Sequence, residues 1–158
     1  VRVMPAPTAW LRVVYAVHSA LSAALDTAVT VGPPMTQAYL ADGVIVAGDT
    51  TSEEGNAGSF AQGYRTTGGP RGAAAERDDD GSIMCEVWAQ SGDDDLVPLL
   101  DRTFGLMEDA LDVLRDDVGL GLADVLNLDL SAGQVYAGPS DQGAFVRLPF
   151  TIRYSAVI

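Results

Sequence analysis

His18 is the single histidine of the chain. An imidazole could act as a general base or a zinc ligand, but no second histidine exists to complete a usual zinc set. It stands between Val14 and Leu21 in an apolar stripe, where a residue at the edge of a core is the plainer expectation. Cys85, the single cysteine, alternates with Ile83 and Val87. A nucleophilic thiolate needs an exposed, electropositive setting and a base partner, so this position reads as a small buried hydrophobe. One cysteine also excludes an internal disulfide and a thiolate metal cage.

Two aspartate triplets, Asp78-Asp79-Asp80 and Asp93-Asp94-Asp95, invite a cation reading. Neither has the alternate-residue spacing and distal glutamate of a helical-loop calcium site. Loop solvation and helix capping are the expected roles, with weak cation binding as the alternative. Gly68-Gly69-Pro70-Arg71-Gly72 lacks the Gly-Lys-Ser/Thr ending of a phosphate loop, and Pro70 removes one of the N–H donors such a cradle uses. No Gly-x-Ser-x-Gly elbow, paired-histidine helix or dinucleotide fingerprint occurs. No residue is therefore assigned to catalysis, to a cofactor or to a metal.

The charge balance narrows the partners. Twenty-two acidic residues face nine basic ones, all arginines, for a formal net charge of -13. Phosphate binding needs clustered Lys and Arg to release counterions, and this chain has no basic cluster, so specific nucleic-acid binding is not expected. The apolar stretch 9–25 carries Arg12, His18, Ser19 and Ser22 and is no undisturbed membrane span. With no signal peptide at the start, a soluble protein made in a reducing cytoplasm is expected.

These residues need elements to hold them. At 158 residues one domain with a single core is expected. Thr8 reads as an N-cap for a first helix of roughly eighteen residues, with apolar positions at Trp10, Val14, Val17, Leu21, Leu25 and Ala28. Short strands follow at Val29-Thr30-Val31 and at 43–48, with a weaker one at 59–67. The stretch 67–81 reads as a long mobile loop. The strand 82–90 then puts Ile83, Cys85, Val87 and Ala89 on one face.

An acidic turn opens a second helix whose expected stripe is Leu96, Leu100, Phe104, Met107, Leu111, Leu114 and Val118. A strand at 125–136, a turn at Gly138-Pro139-Ser140-Asp141 and a long strand at 144–158 close the chain. The order α-β-β-β-β-α-β-β predicts an α+β fold, two amphipathic helices on a mostly antiparallel sheet.

That arrangement resembles the tail terminator (minor tail or tail-completion) proteins of long-tailed bacteriophages, here one with an actinobacterial host. The likeness lies in the opening helix followed by Val29-Thr30-Val31-Gly32 and in the Gly-rich loop entering Ile83-Met84-Cys85-Glu86-Val87-Trp88. It extends to the acid-capped second helix with Arg102 and Leu114-Arg115, and to the final strand near Ile152-Arg153-Tyr154. The resemblance implies a non-enzymatic virion protein at the head-proximal end of the tail, assembled in the host cytoplasm.

It further implies a homo-oligomeric ring, usually a hexamer, that caps the tail tube, ends its growth and presents a surface to the head-tail connector. Six copies would carry six times -13, or -78, and genomic DNA would pass such a bore without specific binding. The expected contacts are the 67–81 loop, with Arg71, Arg77, Asp78, Asp79 and Asp80, and then the outward face of the last strand, with Arg147 and Arg153. A head-tail adaptor or tail tube subunit is the nearer alternative; a small hydrolase or metal-dependent enzyme is the distant one.

Overall fold

A computed structural model describes residues 8–32, 42–48, 56–64, 77–92, 95–117, 119–140 and 143–157. Helix α1 (Trp10–Ala24) leads to β1 (Ala28–Val31), β2 (Gly43–Val46), β3 (Gly58–Tyr64) and β4 (Arg77–Gln90). Helix α2 (Leu96–Asp116) precedes β5 (Val125–Ala132), β6 (Tyr136–Ser140) and β7 (Gly143–Val157). Among the described residues the fold is α+β: two helices and a mixed, mostly antiparallel seven-stranded sheet.

The sheet is built on two long strands. β4 and β7 pair antiparallel from Asp78↔Val157 to Gln90↔Phe145, a span of about 40 Å at the usual strand rise. Each carries two shorter strands end to end on its outer edge. β2 and β3 share the edge of β4, β5 and β6 share that of β7, and β1 lies parallel outside β2.

Alternation sets the faces. On β7, Ala144, Val146, Leu148, Phe150, Ile152, Tyr154 and Ala156 are buried, and their β4 partners Ile83, Cys85, Val87 and Ala89 share the core with them. The helices cover this face with Val13, Val14, Val17 and Leu21 from α1 and Leu99, Met107, Ala110 and Leu114 from α2.

The expected order lacks one strand, because Tyr136–Ser140 pairs with β7 although Gly138 and Pro139 read as a turn. An edge strand tolerates proline where the N–H side faces away from the ladder. β4 begins at Arg77, so 77–81 belong to a strand and not to the expected 67–81 loop; residues 65–76 lie outside the described residues. Helix α1 ends at Ala24, short of Ala28.

The stripe of α2 is rotated from the expected one. Leu99, Thr103, Met107, Ala110 and Leu114 are buried, while Phe104 is 47% exposed. Apolar residues recur at both offsets, and contact with the sheet chooses between them. Asp95 does cap α2, accepting from the Val97 N–H at 3.3 Å. The opposite face of β4 is also partly closed: Glu86 and Trp88 are 0% and 2% exposed. Trp88 packs over Gly43, where a Cβ would stand 2.3 Å from the ring.

Candidate functional site

The residues expected to make contacts fall into separate places. Arg71 lies outside the described residues. Arg77 opens β4, opposite Tyr64 of β3. Of the triplet, Asp78 is half-buried, Asp80 is exposed and Asp79 is fully buried. Asp79 shares the parity of Ile83 and Cys85 along β4 and so points to the helix side.

There Asp79 joins the first helix to the sheet. Its Oδ2 accepts from the Ala9 backbone N–H and from the Thr8 hydroxyl at 2.7 Å. Its Oδ1 accepts from the Tyr154 hydroxyl at 3.4 Å. A helix start leaves several N–H groups without intrahelical partners and carries partial positive charge. Ala9, the cap residue of α1, makes no side-chain cap bond. Part of the capping thus comes from a residue 70 positions away, and part from Thr8 Oγ1, which accepts from the Trp10 N–H at 3.2 Å. Trp10 adds a second tie through Nε1, which donates to the Ser82 carbonyl at 2.8 Å. Burial pushes the Tyr154 hydroxyl up to about 12, with the Asp79 and Asp80 charges adding to it. Asp79 is thereby a positioning group inside the fold.

Arg147 and Arg153 lie on the sheet face turned away from the helices, as their spacing predicts. Arg147 stacks on the Phe145 ring at 5.3 Å from its centroid. Arg153 is exposed, with Ser82 and Asp129 as its cross-strand neighbours. Six residues of extended chain, about 20 Å, separate the two arginines, so they form no single site. Arg153 lines an open groove of about 460 Å³ with Asp80, Asp129, Ser59, Ser82 and Ser155.

The residues with reactive types serve the fold. His18 Nε2 lies 3.1 Å from the Val29 carbonyl oxygen, which ties α1 to the edge strand. Cys85 is buried, and desolvation pushes its thiol up to about 12, so it has little thiolate at neutral pH. Among the described residues no three His, Cys, Asp or Glu side chains come together in a metal-holding group. No helix among them is long and apolar enough to cross a membrane.

What the sequence did not single out is a set of exposed apolar side chains at the two ends of the sheet. Leu11, Tyr15 and Val31 are 48%, 54% and 47% exposed. Leu11, Tyr15 and His18 share one face of α1 by their spacing, and the His18–Val29 contact sets that face beside β1. At the opposite edge, Val135 and Tyr136 are 52% and 40% exposed. Only the low local charge around these residues could have drawn attention to them.

No protein-family model matches the chain, and no curated protein does. Among solved structures, a chain from the virion of a native gene transfer agent particle is similar at 16% identity, covering 92% of each chain with a TM-score of 0.42. A likeness at that level carries no argument about fold or role.

Proposed function

We propose that this chain is a structural virion subunit of a long-tailed phage, a tail terminator that assembles into a ring, caps the tail tube and offers the head-tail joining surface. The observation that carries the reading is the pairing of a strongly acidic chain with exposed, uncharged apolar side chains at both sheet edges. Contiguous exposed apolar groups rimmed by polar surface mark contacts with other macromolecules. The α+β class also agrees with the resemblance to tail terminators, with one strand more than the expected order. His18 and Cys85, the two residues best suited to nucleophilic or base chemistry, are engaged in packing and tertiary contacts. The partners are other copies of the chain, the tube protein and the connector, and genomic DNA passes without specific binding.

Electron microscopy of particles made without this protein tests the role. A terminator defect gives overlong tails, because nothing stops tube growth. Tails of normal length detached from heads would instead assign the chain to a head-tail adaptor, and absence of tubes would assign it to the tube itself.

A further inference from the structure

We infer that copies of this chain meet head to tail, the α1–β1 edge of one against the β6 edge of the next, with Tyr15 and Tyr136 as the central anchors; this rests on the ring reading above. The two edges are opposite ends of the same rows of the sheet. Ala28, Gly43, Trp88, Arg147 and Tyr136 follow one another in register across β1, β2, β4, β7 and β6. Strand directions suit the contact. β6 runs antiparallel to β7, β7 to β4 and β4 to β2, while β1 is parallel to β2. A neighbour placed in the same orientation therefore sets its β1 antiparallel to this β6.

The faces suit it too. Val31 is in register with Val46 and Cys85 on the helix side, where Leu11 and Tyr15 also lie. Tyr136 is in register with Arg147 and Trp88 on the other side. A patch on the upper side of one edge and another on the lower side of the opposite edge let copies overlap like tiles. Such a contact joins two different patches and closes a ring when its rotation allows.

Low charge favours contact at these edges. Copies of net charge -13 repel, and acids facing acids across a contact oppose it further. Residues 8–32 hold one arginine and one aspartate, and residues 130–140 hold no charged residue. Arg12 is already paired with Asp124 at 2.5 Å. Two of the other exposed apolar groups lack this setting, while Phe60 stands alone on β3. Val97 and Phe104 share a face of α2 with Asp101 and Glu108. Exposed tyrosines with few acids beside them, Tyr136 across from Arg147 and Tyr15 one turn from Arg12, supply large contact area at low entropy cost, which is what anchor residues do.

The test is sedimentation of the full chain as wild type, Tyr15→Glu, Tyr136→Glu and the control Phe104→Glu, with folding checked by circular dichroism. The wild type and the control should assemble. Each tyrosine variant should sediment as a monomer, its dissociation constant raised by at least about tenfold, because a carboxylate replaces the apolar anchor of the contact. An equimolar mixture of the two tyrosine variants should give dimers, since one intact pair of edges remains. A tyrosine variant that assembles like wild type, or that dimerises alone while the mixture gains nothing, overturns the head-to-tail contact and leaves the ring reading standing. A wild-type chain that stays monomeric at every concentration, alone and mixed with the tube protein, overturns both.

Discussion

Two regions of this molecule handle unfavourable groups in opposite ways. At the foot of α1, a buried acidic side chain accepts from the Ala9 N–H, Thr8 and Tyr154. At the sheet edges, Tyr15, Val31, Val135 and Tyr136 leave large apolar surfaces exposed to water. The first arrangement satisfies polar groups inside one chain. The second leaves apolar groups unsatisfied within one chain, and a second copy would cover them. Burial, not residue type, sets the two apart: Tyr154 is satisfied in the interior beside Asp79, while Tyr15 and Tyr136 stand at the surface.

Breaking the first region should cost the most stability. Asp79→Ala removes the acceptor for three donors, and urea unfolding should show a loss of about 3 kcal/mol. A loss below about 0.5 kcal/mol, the size of an ordinary surface change, would remove Asp79 as the anchor of α1.

Tyr154→Phe deletes one of those donors and should cost about 1 kcal/mol. It should also change the alkaline limb of stability. Tyr154 is held neutral in the folded chain, its pKa raised from 10.0 to about 12. Its contribution is therefore fully present below about pH 10 and is lost as pH rises toward 12. Urea midpoints measured across that window should fall for wild type and fall less steeply for Tyr154→Phe.

Arg12→Ala tests a contact that borders the anchor on the exposed side. The Arg12 guanidinium holds the Asp124 carboxyl below its usual value. That contribution is present above about pH 4 and is lost as pH falls through the lowered folded value. The pair is solvent-screened, so Arg12→Ala should cost less than about 1 kcal/mol, and less still at high salt.

Smallest of all should be the effect on folding of Tyr15→Glu and Tyr136→Glu. Both side chains are exposed, and unfolding should shift by no more than about 0.5 kcal/mol while assembly is lost. A large stability loss in either would place that tyrosine with the interior and erase the contrast.

Much of the fold was legible because period is a strong signal. The two-residue alternation from Val146 to Tyr154, and that from Ile83 to Ala89, reads directly as strands with one face on a core. The stripe Val14, Val17, Leu21 does the same for α1. The rest was hidden by physics that acts across the chain. Asp79 looks like one member of a solvated run, and its partners Thr8 and Ala9 lie some 70 residues away. Extending the alternation of β4 two residues back past Gly81 would have pointed it inward.

Phe104 fits a helical stripe that the sheet does not choose. β6 carries Gly138 and Pro139, which in isolation belong to turns. The contact residues expected from sequence were charged ones. The structure divides them among β4, the far face of β7 and a stretch outside the described residues. The apolar edge residues escaped notice, since exposure is a property of the folded surface and not of residue type.

As a proposed ring subunit, this chain should form a closed oligomer. Native mass spectrometry of the purified full chain, alone and mixed with the tube protein, tests it most directly. A ring subunit should give a single dominant species at a closed multiple of the chain mass, with six copies expected. A single-chain mass under both conditions, at every concentration, would contradict it.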